Sequence, residues 1–195
     1  MKILVATGNA HKADEIRAIL AALRGIEWLT TSDVEPGLDP VEDAPDYEGN
    51  ALIKARAWAA ATGLPTVADD SGLEVDALGG RPGVHSARYA PTNPERIARL
   101  LAEMEGVPEG ERGARFVCAA VLVLPSGREH ARRGVLEGRI ATEARGEGGF
   151  GYDPVFVPDG EGGRHLAELP AASKDAISHR GRAFRALAEV LRALA

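Results

Sequence analysis

The opening residues constrain the fold most. Residues 2–6 are a short apolar run rich in β-formers, and the run breaks at once into Thr7-Gly8-Asn9. Beyond the break, Ile16, Ile19, Leu20 and Leu23 recur at helical spacing. The pattern predicts a buried strand, a tight turn, and a helix over about residues 10–23. Such a helix must fold back along its strand to bury its apolar stripe, which makes this the first unit of an α/β fold. The apolar run is too short for the core of a secretion signal.

The rest of the chain extends the same grammar. Residues 26–30 read as a second strand. Residues 32–46 are acidic, carry Pro36, Pro40 and Pro45, and read as a long loop of the kind that carries function. An Ala-rich helix is expected over 50–62, stopped by Gly63, and a short strand over 66–68 delivers Asp69, Asp70 and Ser71 at its end. Residues 73–78 read as extended and 79–94 as a Gly- and Pro-rich loop. Asn93 is the expected N-cap of a helix with Pro94 in its first turn and Ile97, Leu100, Leu101 and Met104 on its buried face. Residues 114–124 and 128–139 read as a hairpin about Pro125-Ser126-Gly127. A short strand follows over 155–157, and a last helix opens near Ser178. The expected architecture is an elongated mixed central sheet with flanking helices, one domain with two lobes around a substrate cleft.

Composition excludes several functions. The chain has 195 residues, with 23 basic against 29 acidic side chains and a formal charge of −6. That balance disfavours a nucleic-acid binder, which needs cations to neutralise phosphates. One cysteine, Cys118, rules out an intrachain disulfide and a Cys-rich zinc site. No apolar run approaches the roughly 20 residues of a membrane helix. A cytoplasmic location without a membrane partner is expected.

Four segments carry possible chemistry. Thr7-Gly8-Asn9-Ala10-His11-Lys12 puts a glycine turn, a helix N-terminus and a lysine together, a fit for an anion as well as for a plain strand-to-helix turn. Asp69-Asp70-Ser71 sets adjacent carboxylates after a buried strand, on opposite faces if the strand continues. Oxygen-only donors suit Mg²⁺ or Mn²⁺ rather than zinc, and an acidic capping turn fits the same residues. Glu42 and Asp43 in the acidic loop offer a further carboxylate. Gly148-Gly149-Phe150-Gly151-Tyr152-Asp153-Pro154 allows close backbone approach, with aromatics placed either to stack on a base or to fill a core. Ser173-Lys174 and Ser178-His179-Arg180-Gly181-Arg182 gather cations at the start of the last helix, for phosphate contact or as a basic solvent face.

Taken together and in order, TGNAHK, ALIKA, ADDSGLEVDALGGRPGVHSARY, GGFGYDPVF and SKDAISHRGRA resemble the HAM1/RdgB family of inosine triphosphate pyrophosphatases. The resemblance spans essentially the whole chain. It implies an ITPase-like fold of two lobes, a homodimer, and Mg²⁺-dependent hydrolysis of XTP, dITP and ITP to the monophosphate plus pyrophosphate. By the same resemblance Thr7, Asn9 and Lys12, within the segment Thr7, Gly8, Asn9, Ala10, His11 and Lys12, hold the triphosphate. Asp70 is the catalytic proton acceptor and a metal ligand, with Glu42 as second ligand. Ser71 touches substrate, and Phe150, Gly151, Tyr152 and Asp153 meet base and sugar, with Phe150 stacking. Lys174 reaches the phosphates, and His179 and Arg180 read the six-keto group of the purine. The chain departs from many relatives in having Glu48-Gly49-Asn50-Ala51 where they have Glu-Asn-Ala, which unsettles any role for Glu48. Two other functions fit the same segments: hydrolysis of pyrimidine nucleotides, as in Maf-like relatives of the fold, and a nucleotide sensor without turnover.

Overall fold

A computed structural model of the chain describes residues 1–35 and 37–194; the loop proline Pro36 lies outside the described residues. The strands are β1 (Lys2–Val5), β2 (Glu27–Thr30), β3 (Thr66–Val75), β4 (Gly113–Val123), β5 (Glu129–Ile140) and β6 (Phe156–Pro158). The helices are α1 (Ala10–Leu20), α2 (Tyr47–Thr62), α3 (Asn93–Glu103), α4 (Ala171–Ile177) and α5 (His179–Arg192). The strands form one sheet in the order β2-β1-β3-β4-β5-β6. β1 runs parallel to both β2 and β3, and β6 is antiparallel to β5. The mixed α/β class expected from the sequence is the class found.

The chain forms two compact units. Among the described residues, the first holds residues 1–70, 118–134 and 179–194, and the second holds Ser71–Val117 and Val135–Ser178. In the first unit the period of two along each strand sorts the core into layers. Ile3, Val5 and Val67 pack with Cys118, Ala120 and Leu122 against Ile16 and Leu20 of α1 and Phe184, Leu187 and Leu191 of α5. Their neighbours Leu4, Ala6, Ala68, Val121 and Val123 pack on the opposite face, against Ala51, Ala55 and Trp58 of α2. The sheet of this unit is covered on both faces, which is why the part of β4 within it, residues 118–123, reads as an unbroken apolar run. The second unit is built around Leu73, Val75, Leu100, Met104, Phe116, Ile140 and Phe156. Arg112 is buried there and donates to the carbonyls of Met104, Val107, Ile140 and Ala141.

Several boundaries differ from the sequence expectation, each for a local reason. α1 stops at Leu20, while Leu23 stays buried in the turn that follows and so continues the apolar spacing without the helix. α2 begins at Tyr47 because Asp46 caps it, its side chain accepting the N–H of Gly49 at 2.7 Å. The expected strand over 66–68 runs on to Val75. Thr92, not Asn93, caps α3, and it forms a reciprocal capping box with Glu95. Lys174 does not open the last helix but sits in the separate α4, which ends at Ser178 with extended backbone (φ −60°, ψ 154°) before α5 begins.

Candidate active site

The first unit gathers charge where β1 ends beside β3. α1 lies on one face of the sheet and α2 on the other, so the chain reverses its winding at β1. Open α/β sheets bind ligands beyond the carboxyl ends of strands at such reversals. The turn after β1 is held by its own side chains. Thr7 Oγ1 accepts the N–H of Asn9 at 3.2 Å, and Asn9 Oδ1 accepts the N–H of Lys12 at 3.3 Å as the N-cap of α1. Gly8 has neither a positive φ nor any atom within 4 Å of where a Cβ would stand. Its backbone therefore faces open space, with Ala10 and His11 exposed just beyond.

Strand parity gives the two aspartates opposite surroundings. Asp69 shares the α1/α5 face with Val67 and is fully buried. Its Oδ2 meets Lys12 Nζ at 3.1 Å, Arg180 Nη2 at 3.2 Å and Arg180 Nε at 3.3 Å. Arg180 Nη1 extends this network to Glu15 of α1 at 2.6 Å. Burial alone would raise the Asp69 carboxyl, but Lys12, Arg180 and Lys54 overcome it and hold the group well below the carboxylate range. Cys118 lies in the same pocket, its Sγ 3.9 Å from Asp69 Oδ2, and burial with that negative neighbour pushes the thiol far up.

Asp70 shares the α2 face with Ala68 and is half-buried. Asn50 of α2 donates to its Oδ2 at 3.1 Å. Burial raises this carboxyl, against the pull of Lys12, Asn50 and Lys54, while the negative charge of Glu42 adds to the rise. Glu42 is itself paired to Lys54 of α2 at 2.9 Å. One face of α2 therefore carries Asn50 and Lys54, one turn apart, towards the acidic loop and Asp70.

Close approach sets the start of α5. A Cβ on Gly134 of β5 would lie 2.6 Å from the backbone nitrogen of Ala183 and closer still to the carbonyl oxygen of His179. Only glycine lets the helix lie this near the strand, and that fit places His179 and Arg180.

The second unit holds a separate cluster. Asp153 Oδ2 accepts the N–H of Phe150 at 2.9 Å and the ammonium of Lys174 at 2.7 Å. Lys174 Nζ also stands 4.7 Å from the centre of the Phe150 ring, within cation–π range. Both charged side chains are 5% exposed. Gly149, at φ +69°, passes so close to Asp153 that a Cβ would overlap the carboxylate. Tyr152 is buried and donates its hydroxyl to the carbonyl of Ser86 at 2.9 Å, while Gly151 completes the turn at φ +64°. Ser71 stands half-buried on β3, next in chain to Asp70.

Residues 3–190 match the Ham1 family. This chain belongs to the Ham1 family. The dITP/XTP pyrophosphatase of Nocardia farcinica is 52% identical over 199 residues, covering 100% of this chain and 96% of that protein. That of Frankia alni is 51% identical over 201 residues, covering 98% of each. A HAM1 protein from Coxiella burnetii has the same structure with a TM-score of 0.87, at 40% identity over 98% of both chains. The Ham1 fold thus accounts for nearly all of this chain.

Of the residues singled out by sequence, the structure brings Thr7 to Lys12, Glu42, Asp70, His179 and Arg180 into the first unit. It brings Ser71, Phe150 to Asp153 and Lys174 into the second. Two of these residues carry ion pairs that the sequence did not announce. The Arg180 guanidinium is engaged by Asp69 and Glu15 within the core. The Lys174 ammonium is held under Phe150 rather than extended. Sequence reading missed Glu15, Asn50 and Lys54. Their partners Arg180, Asp70 and Glu42 lie 12 to 165 positions away in the chain, so no local spacing announces them.

Proposed function

We propose that this Ham1 protein is a divalent-metal-dependent pyrophosphohydrolase of purine nucleoside triphosphates whose base carries a six-keto group, such as dITP, XTP and ITP. It yields the monophosphate and pyrophosphate, which removes non-standard nucleotides from the pool. The observation that carries the reading is the split between Asp69 and Asp70, one locked to cations and the other accepting from the Asn50 amide beside a second carboxylate. The names of the Nocardia and Frankia relatives supply the substrate class.

The donor set fits magnesium. Glu42 and Asp70 offer oxygen only, and Mg²⁺ is commonly held by one or two carboxylates together with substrate phosphates and water. When bound, the cation offsets charge on the phosphate oxygens and makes the α-phosphorus more electrophilic.

The chain's own groups do the rest. The open turn at Gly8, the N-terminus of α1 and Lys12 bind the triphosphate, with Lys54 as a second ammonium. Asp70 orients a water and takes its proton as the oxygen attacks the α-phosphorus in line. The new P–O bond forms as the bridging P–O bond breaks, and pyrophosphate leaves with the electron pair. Phe150 stacks on the base, and Lys174, set between Asp153 and the Phe150 ring, reaches the phosphates. Donors at the start of α5, His179 and Arg180, favour a keto oxygen at position six over the amino group of adenine, which would face donor against donor. Ser71, Gly151 and Asp153 complete the substrate contacts. The working form in this reading is a cytoplasmic homodimer with the substrate bound in a cleft.

A panel of dITP, XTP, dTTP, UTP, dATP and dGTP with Mg²⁺ tests the reading by product. Pyrophosphate from dITP and XTP, well ahead of the others, is expected. Preference for dTTP reassigns the enzyme to pyrimidines, and tight dITP binding without turnover makes it a sensor.

A further inference from the structure

Asn50 enters the scheme above only as a contact of Asp70, yet both ends of its amide are committed. The residue lies in the first turn of α2 and is 1% exposed. Its Oδ1 accepts the N–H of Ala44 at 2.9 Å, and its Nδ2 donates to Asp70 Oδ2 at 3.1 Å. The orientation of the amide is forced. A backbone N–H only donates, so the amide oxygen must face Ala44 and the NH₂ must face the carboxylate. Ala44 stands two residues from Glu42, in the loop that Lys54 also grips from the same face of α2.

We propose that Asn50 is a positioning residue that ties the Glu42 loop to the Asp70 carboxylate, so that the two acids are presented to a cation as one fixed pair. The inference rests on the reading of Glu42 and Asp70 as the cation-holding acids. The Asn50 amide on Oδ2 restrains rotation of the Asp70 carboxylate and so the direction in which its other oxygen points. A loop anchored through the same side chain cannot shift without disturbing that donor. A helix-start asparagine with a packing role alone would need neither contact, and a loop anchor alone would need no hydrogen bond to Asp70. Loss of an outer-shell partner of this kind typically costs about 10–100-fold in metal affinity or activity.

Two variants of the full chain separate the contacts. Asn50→Ala loses both. Asn50→Asp keeps an acceptor for the Ala44 N–H but sets a like charge, and no donor, against Asp70. Four quantities are measured: thermal unfolding, hydrogen exchange of residues 37–46, binding of Mn²⁺ alone by paramagnetic resonance, and kcat and KM for dITP. For Asn50→Ala, loop exchange should rise about 10-fold or more. Its Mn²⁺ affinity and kcat should each fall about 10–100-fold, with KM changed far less. For Asn50→Asp, loop exchange should stay within about twofold of the parent, and kcat should fall as in Asn50→Ala. Its Mn²⁺ affinity should be no weaker than the parent's, because negative charge is added. General damage to the fold cannot produce that split.

The proposal is overturned if Asn50→Ala leaves both loop exchange and Mn²⁺ affinity within about twofold of the parent. It is equally overturned if Asn50→Asp loosens the loop as much as Asn50→Ala does. Failure of the parent to hydrolyse dITP would remove the functional reading, and the exchange comparison would still judge the hold of Asn50 on the loop. Turnover by the parent with an unimpaired Asn50→Ala removes the role of Asn50 alone.

Discussion

Replacing Asp69 by asparagine should damage the fold, although its neighbour Asp70 carries the proposed chemistry. The Asp69 carboxylate is fully buried and is met by Lys12 and by two nitrogens of Arg180, itself 1% exposed. An asparagine oxygen can accept one of those hydrogen bonds but brings no charge. Arg180 would then rely on Glu15 for its counter-charge. Breaking a buried ion pair from one side costs about 3–5 kcal/mol. For a domain of this size each kcal/mol is worth about 2–4 °C in Tm, so a fall of about 6–20 °C is expected. Urea unfolding followed by far-UV circular dichroism reads the difference, with the m-value checked for constancy.

The pH dependence has a definite sign. The folded carboxyl of Asp69 lies below its ordinary value, because Lys12, Arg180 and Lys54 outweigh the cost of burial. Its stabilisation is therefore complete above the unfolded pKa of about 3.9 and is lost as pH falls from there through the folded value. The gap between parent and Asp69→Asn should hold steady from neutral pH down to about pH 4 and narrow only below it. A loss under about 1 kcal/mol at pH 7, or a gap that closes by pH 6, would refute the assignment of Asp69 to the ion-pair core.

Three other substitutions or treatments follow from named contacts. Gly134→Ala should cost about 1–3 kcal/mol in urea unfolding and also lower kcat per folded molecule, because the new methyl meets backbone of α5 and moves Arg180; an unchanged kcat would show that the close approach does not set the site. Cys118 should resist iodoacetamide at pH 8 in the native state and react on unfolding, since burial and the charge of Asp69 disfavour the thiolate; rapid native labelling seen by mass spectrometry would contradict this. Arg112→Lys should lose about 3 kcal/mol or more, because one ammonium cannot span carbonyls on both sides of the site that the guanidinium fork satisfies; stability equal to the parent would contradict that.

Much of this was legible in the residues because strand and helix periods were strong. The apolar run of residues 2–6 and the stripe through Ile16 and Leu20 fixed β1 and α1, and Gly63 ended α2 in the left-handed conformation expected of it. The acidic pair misled the reading of β3. Two aspartates look like the end of a strand, but here Lys12, Arg180 and Asn50 arrive from distant segments to compensate them, so the strand continues. Those partners lie 20 to 111 positions away in the chain, and no local pattern announces such pairing. Lys174 shows the same limit. Its pairing with Asp153, 21 positions away, and its place over the Phe150 ring depend on the tight turn at Gly149 and have no local sign. The opposite fates of Asp69 and Asp70, in contrast, follow from strand parity once the strand is known to continue.

The bond at which water attacks is the most direct measure of the account. Hydrolysis of dITP in ¹⁸O-labelled water with Mg²⁺ should place one label in the monophosphate and none in pyrophosphate, and Asp70→Asn should keep the parent's fold while losing most of that turnover. Label in pyrophosphate, release of orthophosphate as the primary product, or full activity of Asp70→Asn would contradict it.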